Sequence, residues 1–103
     1  AKRFYTIQVG DIAYFYSLDK VTFAVTKDGK AHVIDLPLSK LEEQLDGRVF
    51  FRVNRQFILS ADSIRNIQHY FNGKAVVSVW PAYEGTIQIS RERMTLLKMW
   101  LNS

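Results

Sequence analysis

Apolar and polar residues alternate along the first third of the chain in a way that predicts short β-strands. The segments with this alternation are residues 4–9, 12–17, 21–27 and 31–34. Gly10-Asp11 and Asp28-Gly29 separate two pairs of these segments, and both sequences favour tight reversals. A short polar loop that contains Lys20 joins one pair to the next. The pattern therefore predicts two antiparallel hairpins.

Residues 50–59 combine bulky apolar side chains with the densest positive charge of the chain. Read as a strand, this stretch directs Phe51, Val53 and Arg55 to one side and Arg52 and Asn54 to the other. Residues 57–59 form an unbroken apolar run, which predicts a buried return into the core. The polar side chains between the apolar segments are either aimed at a ligand or solvated, with their stems covering apolar surface. The pattern alone leaves both interpretations open.

A helical period replaces the alternation at residues 38–45, where leucines recur on one face. Pro37 suits the entry to a helix, and Ser39 and Glu42 have the spacing of a capping box. Gly47 can end the helix in a left-handed conformation. These signals predict a short helix packed on the sheet.

Strand character resumes after a turn at residues 60–62. The predicted strands are residues 64–71, 74–80 and 86–90. Asn72-Gly73 is the strongest hairpin sequence in the chain. Pro81 ends the predicted strand at residues 74–80. Ser90 can cap a last helix over residues 91–102. The whole layout predicts a mainly β fold, with at least seven short antiparallel strands and two short helices.

The length of 103 residues indicates one domain that spans residues 1–103. The chain is 48% hydrophobic and 14% aromatic, which argues against disorder. It has no cysteine, so disulfides, thiol catalysis and cysteine-ligated zinc are excluded. No apolar run approaches the ~20 residues of a membrane span. We therefore expect a cytoplasmic protein with no membrane segment, and the missing initial methionine suggests a piece of a longer protein.

Positive charge is concentrated in the middle of the chain. Residues 48–74 contain five Lys or Arg residues and one acidic residue, Asp62, so the net charge of this segment is +4. The net charge of the whole chain is also +4. Such a patch suits a phosphate-rich partner, which means nucleic acid or an anionic membrane.

The chain lacks the residue patterns of an enzyme. His32 and His69 are its only histidines, and neither belongs to a metal-binding motif. Glu42 and Glu43 are adjacent, so on a helix they point about 100° apart and cannot act as a paired acid and base. No phosphate-binding loop or nucleophile motif occurs. We expect no catalysis, no metal and no cofactor.

Two binding classes remain. Several strands followed by an amphipathic helix resemble a pleckstrin-homology domain, which would be a phosphoinositide, membrane or protein-interaction module. In that family the first loop supplies basic phosphate ligands, whereas here it is Gly10-Asp11. Nucleic acid suits the basic middle segment better. Tyr70 and Phe71 are candidates for stacking on bases, but their spacing fits core positions equally well.

Motifs in order along nearly the whole chain resemble the LytTR DNA-binding domain. They are Asp11-Ile12 with Tyr14, the hairpin at residues 26–29, Leu38-Ser39-Lys40-Leu41-Glu42 with Leu45, the central run of residues 51–60, Ile64 with Ile67, and Ile89-Ser90-Arg91. The Phe-Arg-x-x-Arg-x-Phe-Ile core of the central run is the most specific of them.

The resemblance implies small antiparallel sheets stacked in an elongated β sandwich with two short helices. It also implies that loops, rather than a recognition helix, contact double-stranded DNA. Matched residue by residue, the base-contacting positions are Thr22, in the loop between the second and third predicted strands, Arg55 and Arg91. The residues beside them are Lys20, Arg52 and Asn54.

LytTR domains usually form the output half of bacterial response regulators. The resemblance therefore implies an upstream receiver domain that this chain lacks, a sensor histidine kinase acting on the full-length protein, and transcription regulation. Few side chains would read bases, so we expect a dimer on paired DNA sites. Asn54, Gln56 and Ser60 stand where the family often has His, Ser and Asn.

Overall fold

Two antiparallel sheets and two helices make up the protein, as seen in a computed structural model that describes residues 6–103. The strands are β1 (Ile12–Leu18), β2 (Val21–Thr26), β3 (Ala31–Ile34), β4 (Phe50–Arg52), β5 (Phe57–Ser60), β6 (Ile64–His69), β7 (Ala75–Val79) and β8 (Ile87–Ile89). The helices are α1 (Leu38–Gln44) and α2 (Arg91–Leu101), with short 3-10 turns at Val9–Asp11, Ala61–Ser63 and Phe71–Gly73. The predicted mainly β fold with two short helices is confirmed.

The five-stranded sheet has the order β3-β2-β1-β5-β4, and the three-stranded sheet has the order β6-β7-β8. Every pair of neighbouring strands is antiparallel. The described residues extend over 51 × 27 × 23 Å, so the stacked sheets form the elongated shape that the sequence predicted.

The main core lies between the two sheets. Tyr14, Phe57 and Leu59 of the larger sheet pack with Val77 and Ile87 of the smaller one, and each is at most 2% exposed. Met94 and Leu97 of α2 close the same core. Burial of each large side chain of this kind is worth about 1.5–3 kcal/mol.

A second core lies on the opposite face of the five-stranded sheet. Leu38 and Leu41 of α1 pack there on Phe15 and Ile58. The two cores draw on alternate residues of β1, and a register shift between Ile12 and Tyr14 adjusts that alternation near the start of the strand. The sheet is therefore covered on both faces.

Two of the predicted strands are wrong in part. Of the strand predicted at residues 4–9, the start lies outside the described residues, and residues 6–8 are not in a strand. Val9–Asp11 forms a 3-10 turn, closed by the bond from the Asp11 amide to the Gln8 carbonyl at 2.9 Å. The strand predicted through Phe51, Val53 and Arg55 ends at Arg52, because the backbone reverses at residues 53–56. The predicted buried return at residues 57–59 is confirmed, since β5 is buried throughout.

The predicted capping of the first helix is also wrong. Its N-cap is Pro37, which offers no side-chain cap, so Ser39 lies inside the first turn and makes no capping box. The helix ends at Leu45 with φ −79°, and Gly47 is not left-handed. The capping of α2 is confirmed, because the Ser90 hydroxyl accepts a bond from the Arg93 amide at 3.2 Å.

Candidate nucleic-acid interface

The β1–β2 hairpin exposes Lys20 at its tip. Asp19 and Lys20 form the two-residue turn, and both have positive φ, 51° and 67°, as a type I′ hairpin requires. Thr22 lies in β2, not in the loop where the resemblance placed it, and pairs with Ser17 and Ile34 on its two sides. Its side chain is only 5% exposed. In this hairpin Lys20 is therefore exposed to solvent, whereas Thr22 is buried.

The β4–β5 loop is braced by Arg52, the last residue of β4. Its guanidinium donates to the carbonyls of Asn54 at 3.1 Å and Arg55 at 2.9 Å. It also pairs with the Glu42 carboxylate of α1 at 3.1 Å. These bonds satisfy the guanidinium within the chain and fix the turn that carries Arg55.

Asn54 ties this loop to the other sheet. Its side-chain amide donates to the Gln88 carbonyl of β8 at 2.6 Å, while its side-chain oxygen accepts from the Gln56 amide at 2.8 Å. The backbone carbonyl of Gln56 in turn accepts from the Ser17 amide of β1 at 2.9 Å. Both sheets therefore position the loop, and the Ser17 bond places it at the same end of the larger sheet as the Lys20 hairpin.

The arginine side chains that the structure describes fall into two groups. Within residues 6–103, those that donate to acceptors of the chain are Arg48, Arg52, Arg65 and Arg93. The Cζ atom of Arg93 also lies 4.8 Å from the centroid of the Phe51 ring. Hydrogen bonds from Arg48 hold the pKa of Asp46 below its usual value. The two arginines of this range whose guanidinium has no partner are Arg55 and Arg91, and both are exposed.

Arg91 is the first residue of α2, directly after the Ser90 cap. The stem of its side chain packs against the backbone of Gly73 in the β6–β7 turn, so closely that a Cβ at Gly73 would lie 2.5 Å from Arg91 Cγ. The stem is thus held in place while the charged end stays in solvent.

An open groove of about 930 Å³ runs between the β4–β5 loop and the smaller sheet. Its polar and aromatic lining residues include Arg55, Gln56, Tyr70, Lys74, Gln88 and Ser90. The structure therefore brings Arg55 and Asn54 together with the start of α2. The sequence predicted Lys74 only as part of the basic segment, although its place just after the Asn72-Gly73 turn indicated a loop position. No pattern in the sequence indicated Gln88 as a site residue.

Other kinds of site are not apparent in the described residues. No group of three or more His, Cys, Asp or Glu side chains in residues 6–103 could hold a metal ion. Neither described helix has the length and apolar character needed to cross a membrane.

Unpaired cationic side chains on braced loops beside an open groove are typical of a nucleic-acid-binding domain, here on a β scaffold. The LytTr DNA-binding domain model matches residues 2–102, and this chain belongs to that family. DNA binding is the function of its class. The family does not favour the pleckstrin-homology alternative, and it agrees with a binding role rather than catalysis.

Similar proteins agree with this assignment. The chain is 37% identical over 54 residues to the sensory transduction protein LytT of Oceanobacillus iheyensis, a match over 52% of this chain and 22% of that protein. A solved LytTr DNA-binding domain of a putative methyl-accepting/DNA response regulator from Bacillus cereus superposes with a TM-score of 0.78 at 18% identity. That superposition covers 94% of this chain and 86% of the other and shows a shared fold.

Proposed function

We propose that this domain binds double-stranded DNA sequence-specifically through its loops and regulates transcription as the output domain of a response regulator. The observation that carries the proposal is that Arg55 and Arg91 are the arginines of residues 6–103 left without a partner. A fold that pairs its other described arginines internally leaves these two for a ligand.

In the proposed complex, Arg55 and Arg91 read base edges. An exposed guanidinium can donate two parallel bonds to guanine O6 and N7 in the major groove. Lys20 and Lys74 contact phosphates, which hold the protein in register without reading sequence. Arg52 and Asn54 serve as positioning residues, because their polar groups are engaged in bracing the Arg55 loop. Thr22 contributes to the sheet rather than to base contact, because it is buried.

The regulatory context rests on the family and on the names of the relatives. An upstream receiver domain, phosphorylated by a sensor histidine kinase in the cytoplasm, would control the DNA-binding half. Two arginines read few base pairs, so a dimer on paired sites would supply the remaining specificity.

Selection of bound sequences from a random duplex pool, followed by titration of variants, tests the proposal. Arg55→Ala should weaken binding to the selected site by about 1–3 kcal/mol and relax preference at one base position. Arg91→Ala should do the same at another position. Lys20→Ala is the matched control, and it should weaken the selected and a scrambled duplex about equally. Tighter binding to phosphoinositide vesicles than to any duplex would contradict the proposal.

A further inference from the structure

The β6–β7 turn carries an apolar side chain that the fold does not use. Phe71 is 85% exposed, and Tyr70 beside it is 52% exposed. Burial of a phenylalanine ring normally stabilises a protein, so a ring exposed to water at the tip of a hairpin contributes no burial energy to this fold. Its position therefore suggests a contact outside the chain.

The turn holds this ring in a defined place. The Tyr70 amide donates to the Lys74 carbonyl at 2.8 Å, and Asn72 and Gly73 both have positive φ, 67° and 77°. The backbone of Gly73 lies directly against the stem of Arg91. The Phe71 ring is thus carried on a constrained turn that touches the residue proposed to read a base.

The surroundings of the ring decide which partner fits it. Tyr70 and Lys74, on either side of the tip, line the groove that also contains Arg55. Apolar rings among unpaired cations suit a surface that combines phosphates with apolar base atoms, and duplex DNA has both. In the major groove the apolar atom that distinguishes one base from the others is the C5-methyl group of thymine, which phenylalanine can contact.

We propose that Phe71 contacts a thymine methyl group next to the base read by Arg91, and so adds a position of sequence preference that no charged residue supplies. This inference rests on the proposed DNA-binding function. It assigns a specificity role to an aromatic residue of the β6–β7 turn, whereas the arginines account for the guanine contacts.

Replacement of thymine by deoxyuridine tests the contact, because it removes the methyl group and keeps the base pair. Each thymine of the selected duplex is replaced in turn, and binding of the 103-residue chain is measured at one salt concentration. At one position the substitution should weaken wild-type binding about fourfold, because the burial of one methyl group changes an affinity by about that factor. Phe71→Ala should bind about tenfold more weakly than wild type and should not distinguish thymine from deoxyuridine at that position.

Trp80→Ala is the matched control, because Trp80 is another exposed aromatic residue, at 60%, and lines a different pocket with Lys27 and Arg65. It should bind as tightly as wild type and keep the response to deoxyuridine.

Two results would overturn the inference while the proposed function stands. In one, Arg55→Ala weakens binding, but each replacement of thymine by deoxyuridine weakens the binding of wild type and of Phe71→Ala by the same factor. In the other, Phe71→Ala binds DNA normally and changes only the association state in sedimentation, which would make the ring a protein contact. Failure of every duplex to bind would remove both proposals together.

Discussion

Arg52 and Arg55 lie three residues apart and carry the same charged group in different surroundings. Arg52 donates to Glu42 and to two loop carbonyls, whereas the Arg55 guanidinium has no acceptor within residues 6–103. Hydrogen bonds of charged groups are each worth about 1.5–3 kcal/mol when they are well made. Arg52 should therefore contribute to stability, and Arg55 to binding.

Substitution of each arginine separates these roles. Arg52→Lys keeps the positive charge and loses the planar fork, so it should lower the free energy of unfolding by about 1–2 kcal/mol. Arg55→Ala should stay within about 0.5 kcal/mol of wild type, as exposed substitutions generally do. Urea denaturation measures both. An Arg52→Lys variant as stable as wild type would show that the hydrogen bonds of Arg52 do not stabilise the fold.

Gly73 provides a second comparison at the scale of one residue. Alanine there would be strained by the φ of 77° and would collide with the Arg91 stem. Gly73→Ala should lose about 1–2 kcal/mol of stability and also displace Arg91, which weakens DNA binding.

Gly29→Ala is the control for Gly73→Ala. Gly29 has φ +89° in another hairpin and nothing within 4 Å of an added Cβ. It should lose similar stability and bind DNA normally once folded. Equal binding by both variants would show that the contact with Gly73 does not matter for Arg91.

Individual site residues were predictable from sequence only as far as a motif located them. Arg55 and Arg91 were identified by resemblance, and their role in DNA recognition stays a prediction. Alternation predicted a strand at residues 21–27 that includes Thr22, whereas the resemblance placed Thr22 in a loop, and the structure agrees with the strand. The engagement of Arg52 with Glu42 joins residues ten apart in different elements, and no local pattern reveals it.

At the scale of elements, α1 and α2 differ in how they begin. Ser90 precedes α2 and accepts the Arg93 amide, whereas Ser39 lies within α1 behind Pro37. Ser90→Ala should cost about 1 kcal/mol of stability, the usual value of a lost cap. Ser39→Ala should cost less than about 0.5 kcal/mol. Thermal unfolding of the two variants measures the difference, and equal losses would mean that the Ser90 bond contributes little.

Two turns were the most predictable features, whereas the pairing of the strands was less predictable. Asp28-Gly29 and Asn72-Gly73 both occur in tight turns with left-handed residues, as their sequences indicate. Asp19-Lys20, predicted only as part of a connecting loop, forms the turn that joins β1 and β2. The strand predicted through Phe51, Val53 and Arg55 extends only to Arg52, because alternation does not show where a strand ends. The reversal there depends on side chains, since Arg52 bonds to the loop carbonyls and Asn54 to the Gln56 amide.

At the scale of the whole molecule, Tyr14 joins the two sheets. It lies in β1, and its hydroxyl donates to the Pro81 carbonyl beyond β7 at 2.8 Å. Burial raises the pKa of Tyr14 to about 12, and the neighbouring Tyr16 and Tyr83 add to the shift. The folded protein thus keeps this phenol protonated where the unfolded chain, with a pKa near 10.0, ionises it.

The stability that comes from Tyr14 should be fully present below pH 10 and should decrease as the pH rises towards 12. Tyr14→Phe lacks the ionisable group, so its free energy of unfolding should fall less between pH 9 and pH 11 than that of wild type. Urea denaturation at the two pH values makes the comparison. The same loss in both proteins would indicate that other groups govern unfolding in alkali.

Salt dependence tests the charge of the whole DNA-binding surface. If about four phosphates are contacted, the logarithm of the binding constant should fall with the logarithm of salt concentration at a slope near −3.6. Lys74→Ala should reduce that slope by about 0.9, while Lys98→Ala, on the exposed side of α2, should leave it unchanged. A flat response to salt would contradict binding through phosphates.

Arg55 and Arg91, which have no partner among the described residues, also bear on how such a domain can change its target over evolution. Because neither guanidinium holds the fold together, other side chains at positions 55 and 91 should leave the scaffold intact. A library randomised at these two positions should yield mostly folded proteins with diverse operator preferences. Randomising positions 52 and 54 instead should yield many unstable ones, because those residues brace the loop.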